Sequence, residues 1–166
     1  TEDINEMEKM LNEYLQFTSS SYLEKDELFN LSQLIEETIE KYNNQNITKI
    51  LPPRIYFNGR KNLIKRSVNN LIDNSIRYGN KVNVELSKKN TNIFIKIEDD
   101  GPGIPEDQYK NVFKPFFRLD KSRSLNQSGV GLGLAIVEDI INSHGGNIQL
   151  GKSKYNGLQV KIFLPF

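Results

Sequence analysis

Two glycine clusters constrain this chain more than any other feature. The first follows an acidic pair directly, in Asp99-Asp100-Gly101-Pro102-Gly103, and the second, Gly129, Gly131 and Gly133, opens an apolar helix. Glycines gather where a backbone must turn sharply or approach another group closely. The first turn can bring backbone and a carboxylate against a flat polar ligand. The second places unpaired N–H groups at a helix N-terminus, where a phosphate chain is stabilised. Between them runs a polar, basic stretch with little periodicity, the pattern of a cover over a ligand. The segment Glu98–Val137 thus reads as a nucleotide site with a lid.

The rest of the chain supplies a scaffold for that site. At 166 residues it can bury one good core and carry one short appendage. The appendage is Thr1–Phe17, where Ile4, Met7, Leu11 and Tyr14 form a helical stripe broadened by Met10, Leu15 and Phe17. One helix cannot bury such a face alone, so it packs in a bundle, on a second chain or onto its own domain. Residues 1–20 are assigned to this helix, 21–27 to a polar linker, and 28–166 to the main domain. In the main domain Leu28-Phe29 suggests a short strand, and Asn30 or Ser32 caps a helix with Leu34, Ile35, Ile39 and Tyr42 inward. Ile47–Leu51 and Arg54–Phe57 read as short strands around Pro52-Pro53. Lys61–Tyr78 is a long helix with Asn70, Asn74 and Arg77 sharing one flank. Val82–Leu86 and Ile93–Ile97 alternate as a hairpin joined by Lys88–Asn92. Pro105 starts a short helix to Val112, Leu132–Ser143 is an apolar helix stopped by Gly145-Gly146, and Ile148–Gly151 and Leu158–Leu164 form a hairpin turning at Asn156-Gly157. The sum is an α+β fold: a two-layer α/β sandwich with a mixed, mostly antiparallel sheet and about three helices on one face, preceded by an isolated helix.

Several functions are excluded. Twenty-two basic and 21 acidic side chains leave a net charge of +1, too little to advertise a nucleic-acid or membrane surface. The chain has no cysteine and one histidine, which removes thiol chemistry, Cys-ligated zinc and a His-built metal site. No apolar run reaches membrane-spanning length, and no signal peptide opens the sequence, so the fragment is expected to be soluble. GxxxxGK[ST] is absent, and neither glycine cluster fits GxGxxG, because position 106 is Glu and position 134 is Leu.

Four separated motifs remain, in a fixed order: NNLIDNSIRYGN (Asn69–Asn80), DDGPGI (Asp99–Ile104), FKPFFR (Phe113–Arg118) and GVGLGLAIV (Gly129–Val137). Together they resemble the N, G1, F and G2 boxes of the ATP-binding catalytic domain of bacterial two-component sensor histidine kinases, in the gyrase/Hsp90/histidine-kinase/MutL ATPase superfamily. The resemblance covers roughly Leu28–Phe166 and implies a Bergerat-type ATP-binding fold. Ser75 and Arg77 stand where relatives often carry Ala and Lys.

The resemblance also implies roles residue by residue. Asn74 would coordinate Mg²⁺, and Asn70, one turn earlier, would help hold the metal and the phosphates, since amide oxygens suit a hard cation. Arg77 would neutralise phosphate charge and Tyr78 would line the pocket. Asp99 would accept a hydrogen bond from the adenine amino group, Gly101 and Gly103 would let the backbone come close, and Ile104 would be among the nucleotide-binding residues. Phe113 and Phe116 would anchor the lid, and Arg118 and Arg123 would approach the γ-phosphate. Gly129, Gly131 and Gly133, with Leu132 and Leu134, would present the phosphate-binding helix start. Each residue has a plainer use beside this one: Asn70 and Asn74 as a solvated helix flank, Asp99 as a turn cap, the phenylalanines as core, Arg118 and Arg123 as surface charge. His144 reads as a structural residue at a helix end, favourable to the helix dipole.

The implied function is transfer of the γ-phosphoryl group of Mg-ATP to a histidine on a dimerisation domain, for relay to an Asp of a response regulator. That histidine would lie upstream, and none occurs before His144, so the fragment is expected to bind ATP without phosphorylating itself. Thr1–Phe17 resembles the end of the dimerisation hairpin's second helix. The expected partners are the kinase's own phosphoacceptor domain and a response regulator, with no nucleic acid. The parent is expected to be a membrane-bound homodimer with this domain on the cytoplasmic side, and the fragment a monomer. Two other classes stay open: a superfamily serine kinase acting as an anti-sigma factor, and a non-catalytic docking module that binds nucleotide or only a partner.

Overall fold

The computed structural model describes residues 4–5, 7–9, 11–12, 14–15, 23–43, 45–117 and 133–166. Its centre is a five-stranded sheet of β2 (Asn46–Ile50), β4 (Lys81–Lys89), β5 (Asn92–Asp99), β6 (Asn147–Lys152) and β7 (Leu158–Pro165), in the spatial order β2-β4-β5-β7-β6. Only the β2–β4 pair is parallel; the other three are antiparallel. A separate antiparallel ribbon joins β1 (Glu27–Asn30) to β3 (Tyr56–Gly59). The helices are α1 (Leu31–Glu40), α2 (Lys61–Tyr78) and α3 (Gly133–Ser143).

Strand alternation explains why all the helices lie on one side. Register brings Val84, Ile97, Val160 and Leu150 into one row, and Leu86, Ile95, Ile162 and Ile148 into the next. With side chains alternating between faces, these rows form one apolar surface, and most of it is buried. It takes up Leu34, Ile35 and Ile39 of α1, Ile64, Val68, Leu71 and Ile72 of α2, and Ile136, Val137, Ile140 and Ile141 of α3 in a single core. The opposite face carries Glu85, Lys96 and Lys161. This is the expected two-layer α+β fold.

Local boundaries differ from expectation in instructive places. Asn30 caps α1, its side chain accepting the Gln33 N–H at 3.2 Å. Ser32 instead turns inward, donating to the Pro52 carbonyl at 2.5 Å and accepting the Ile55 N–H at 3.1 Å. That pins the turn around Pro52-Pro53, where Arg54 takes φ +63°, so β3 begins at Tyr56 rather than Arg54. The β4–β5 connection is a two-residue turn, Asn90-Thr91, with Asn90 at φ +56°, tighter than the expected Lys88–Asn92. The helix expected from Pro105 to Val112 is two 3₁₀ turns, Glu106–Gln108 and Asn111–Phe113. Only Val112 of this stretch is buried, too little to hold a continuous amphipathic helix. The last hairpin closes through the five residues 153–157, not at Asn156-Gly157 alone.

At the N-terminal end, Ile4, Met7, Leu11 and Leu15 are helical and more than half exposed, while Tyr14 packs against the core. Met10 and Phe17 lie outside the described residues. Among the described residues no helix is long and apolar enough to cross a membrane.

Candidate functional site

The site is built where the C-terminal end of α2 meets the end of β5. α2 buries Leu63, Ile64, Ser67, Val68, Leu71, Ile72 and Ser75, which turns its other flank outward. Asn70 and Asn74 lie half-buried on that flank and Arg77 and Tyr78 are exposed. Asn70, Asn74 and Arg77 are spaced by four and three residues, so they rise along one side of the helix.

Asp100 fastens the end of α2 to β5. Its Oδ1 accepts the Asn80 N–H at 2.7 Å and the Lys81 N–H at 2.9 Å. These two amides hold its carboxyl below the usual carboxylate range. The join is tight: a Cβ on Gly101 would lie 2.6 Å from the Tyr78 carbonyl oxygen, and one on Gly79 would lie 2.9 Å from Asp100 Oδ1. Glycine at 101 is thus required by close approach, whereas Gly103 is required by its φ of +72°.

Asp99 sits on the helix side of this join and is 3% exposed. Its Oδ1 accepts the Gly101 N–H at 2.9 Å and the Leu158 N–H at 3.0 Å. Burial pushes its carboxyl pKa up, against the bonds from Leu158, Gly101 and the Ser75 hydroxyl, and the neighbouring Asp100 charge adds to the rise. A buried carboxylate held at one oxygen in this way is an oriented acceptor for a ligand N–H.

The start of α3 completes the described part of the site. A Cβ on Gly133 would lie 3.8 Å from Asn74 Nδ2 and 3.9 Å from Asn74 Oδ1, so the helix begins beside that amide. Leu134 follows, half-buried against the core. Ile104 is half-buried after the glycine turn, and Phe113 is half-buried in the second 3₁₀ turn. Phe116 is 55% exposed at φ +65°, while Val112 takes the buried position of that segment. Arg118, Arg123, Gly129, Gly131 and Leu132 lie outside the described residues.

An open groove of about 650 Å³ runs between Tyr109–Pro115, Glu138 of α3 and Ile148–Leu150 of β6. Phe113 is its one residue in common with the expected site, so the site rests on the Asp99 and Asn74 geometry and not on this groove. No cluster of three or more His, Cys, Asp or Glu able to hold a metal occurs among the described residues.

Three contributors escaped the sequence reading. Gly157 comes so near that a Cβ would lie 2.3 Å from both the carbonyl oxygen and Oδ1 of Asp99. The Leu158 amide and the Ser75 hydroxyl bind the same carboxylate. In the sequence Gly157 reads only as a turn residue, and nothing local to it signals a partner so far along the chain.

His144 also takes a more specific position than expected. Its Nδ1–H donates to the Ile140 carbonyl at 2.7 Å, and its Nε2 accepts the Arg60 N–H at 3.0 Å. Accepting at one nitrogen makes the ring neutral, and burial lowers its pKa. It therefore joins the end of α3 to the start of α2 by hydrogen bonds, and does not act as a cation at the helix dipole.

This combination of a two-layer fold, an asparagine-flanked helix and a buried acidic turn has relatives. The chain belongs to the histidine kinase-, DNA gyrase B- and HSP90-like ATPase family, whose model matches residues 59–166. Within it the similarity runs to sensor histidine kinases. GtrS of Pseudomonas aeruginosa is 30% identical over 165 residues, which is 98% of this chain and 34% of that protein. CpxA of Escherichia coli is 36% identical over 108 residues, 64% of this chain and 24% of that protein. Among solved structures, the histidine kinase domain of the E. coli osmosensor EnvZ is 35% identical with a TM-score of 0.62, covering 84% of this chain and 88% of that one. The chain thus spans about a third or less of the curated relatives it matches, and corresponds to their ATP-binding catalytic domain.

Proposed function

We propose that this chain is the catalytic part of a protein-histidine kinase, binding Mg-ATP and delivering its γ-phosphoryl group to a histidine on the dimerisation domain of the same kinase. The observation that carries this reading is Asp99: a carboxylate 3% exposed, fixed at Oδ1 by two backbone amides, at the join of α2 and β5. So placed, it serves as acceptor for the adenine amino group. The donor set fits the rest of the ligand. Asn74 and Asn70 offer amide oxygens that would hold Mg²⁺, which would neutralise phosphate charge. Gly133 opens α3 beside the Asn74 amide, where an added Cβ would lie 3.8 Å from Nδ2.

Catalysis in phosphoryl transfer is chiefly positioning and charge neutralisation. Arg77, Arg118 and Arg123 are assigned to phosphate charge, Tyr78 and Ile104 to the pocket wall, Phe113 and Phe116 to anchoring the lid, and Gly129, Gly131, Leu132, Gly133 and Leu134 to the phosphate-binding helix start. A response regulator would take the phosphoryl group from the histidine onto an Asp. Residues 1–20 belong on this reading to the dimerisation hairpin, and the exposed row Ile4, Met7, Leu11 and Leu15 supports it. The parent is placed at the membrane with this domain on its cytoplasmic side.

Mixing the chain with γ-labelled ATP, Mg²⁺ and the histidine-bearing domain of the same kinase tests the proposal. Label should pass to the histidine, and Asn74→Ala should abolish it. Saturable ATP binding with no transfer to any histidine would instead favour a serine kinase or a docking module.

A further inference from the structure

The other carboxylate at the end of β5 is harder to explain than Asp99. Alternation sends Glu98 to the open face of the sheet, away from the helices. Its neighbours there are half-exposed, Lys96 and Glu85 each with 31% of the side chain accessible, yet Glu98 is 2% exposed. Its Oε2 accepts the Lys154 N–H at 3.0 Å, and the Lys96 ammonium stands 3.7 Å from Oε1. Oε1 makes no hydrogen bond. Asn83 lies directly across the strand pair and is also buried; its Oδ1 is taken by the Thr48 hydroxyl at 2.7 Å and its Nδ2 is unsatisfied. A buried carboxylate whose Oε1 has an ion pair but no hydrogen bond, on the strand position opposite an amide with an unsatisfied donor, is a poor arrangement for stability alone.

What Glu98 achieves is control of the β6–β7 loop. That loop is closed on itself: the Ser153 N–H donates to the Gly157 carbonyl at 2.9 Å, the Asn156 N–H to the Ser153 carbonyl at 3.0 Å, and the Tyr155 N–H to the Ser153 hydroxyl at 2.9 Å. These three bonds tie the loop together through Ser153. Glu98 grips it at the Lys154 amide from one face of the sheet, and Asp99 grips it at the Leu158 amide from the other. Gly157 packs between, with no room for a Cβ against Asp99. Any slip of the loop at Lys154 is passed to the amide that orients Asp99.

We propose that Glu98 is a positioning residue for base recognition, holding the 153–157 loop from the open face so that its backbone fixes the direction of the Asp99 carboxylate. This rests on the nucleotide reading of the site, and the test separates the two. Binding of ATP and of purine riboside triphosphate, which lacks the amino group, is measured for the wild-type chain, Glu98→Ala and Glu98→Gln. The ¹H–¹⁵N shifts of the Gly101 and Leu158 amides are recorded without nucleotide. Glu98→Ala should weaken ATP binding about tenfold, leave the deaminated analogue unchanged, and move both amides. Glu98→Gln keeps an oxygen for the Lys154 amide and should stay within about twofold of wild type. If Glu98→Ala does not fold, Glu98→Asp repeats the test, keeping the buried charge but falling one methylene short of Lys154. The inference is overturned if the shortened variant binds ATP as wild type does, if it loses both triphosphates equally, or if the Lys154 amide moves while Gly101 and Leu158 do not. A wild-type chain that binds neither triphosphate would overturn the proposed function, while the amide shifts still decide whether Glu98 controls Asp99.

Discussion

At Asp99, burial and hydrogen bonding pull in opposite directions, and burial wins, so the folded-state pKa lies above the unfolded value. The native state then holds the proton more tightly than the unfolded chain. The ionised carboxylate costs stability above its folded pKa, and that cost disappears as pH falls through it. Asp99→Asn should accordingly leave the melting temperature at pH 7 equal to or above wild type, while ATP binding falls at least about tenfold, the loss of one hydrogen bond to a charged group. A melting temperature lowered by several degrees, in a calorimetric scan, would contradict the burial argument. Gly157 behaves in the reverse sense. Its Cβ would meet Asp99 O at 2.3 Å and the Gly101 nitrogen at 2.6 Å, neither of which can swing away as a flexible side-chain end would. Gly157→Ala should therefore cost about 1–3 kcal/mol in urea unfolding and weaken nucleotide binding with it. The sequence shows an Asn-Gly turn at this point; it does not show that the glycine is needed against a carboxylate in another strand. Asp99 itself was legible because its motif is local, whereas its Leu158 partner lies 59 residues away.

The strands and long helices were readable because period-two and period-3.6 patterns record which face meets the core. Ile93, Ile95 and Ile97 alternate with Phe94, Lys96 and Glu98, and the sheet register follows from that row. Segments without such a face were read less well. The stretch after Pro105 has helix-compatible residues but buries only Val112, and so stops at single turns. The linker at 21–27 held a surprise of the same origin. Glu24 accepts the Asn62 N–H at 2.8 Å and the Leu63 N–H at 3.1 Å, capping α2 from outside, where the N-cap residue Arg60 makes no side-chain capping bond. The guanidinium of Arg60 is directed to Ser143 and makes no capping bond, so the Glu24 carboxylate meets these two amides and the positive end of the helix dipole. Glu24→Ala should cost about 1 kcal/mol, read as a shift in urea midpoint with an unchanged slope. No shift would mean that Glu24 holds nothing. Since α2 carries Asn70, Asn74 and Arg77 near its other end, the segment before β1 is tied to the helix that bears those three residues.

Across the whole molecule, His144 connects the elements that the sheet alone does not. It bridges the last turn of α3 to the Arg60 amide before α2, and the Arg60 guanidinium also bonds the Ser143 hydroxyl. Burial lowers its pKa, the Ile140 carbonyl opposes this, the Arg60 charge adds to it, and Asp26 and Glu24 oppose it. Because the folded pKa lies below the unfolded value of about 6.5, this contribution is complete above that pH and is lost as pH falls below it. Urea midpoints at pH 7.5 and 5.5 should diverge in wild type and diverge less in His144→Gln; equal divergence would show that the ring is not the titrating group. The overall architecture and the family were both legible from four ordered motifs, since their order fixes which strand ends and helix ends must converge. The clamp of two adjacent carboxylates on one loop was not, because it is made by backbone amides that any residue can supply. The central claim is that this convergence is an adenine nucleotide site, and calorimetric titration with ATP tests it most directly, with and without Mg²⁺, beside Asp99→Asn. Saturable, Mg²⁺-strengthened binding that the substitution removes is the predicted result; binding of equal affinity in both chains would contradict it.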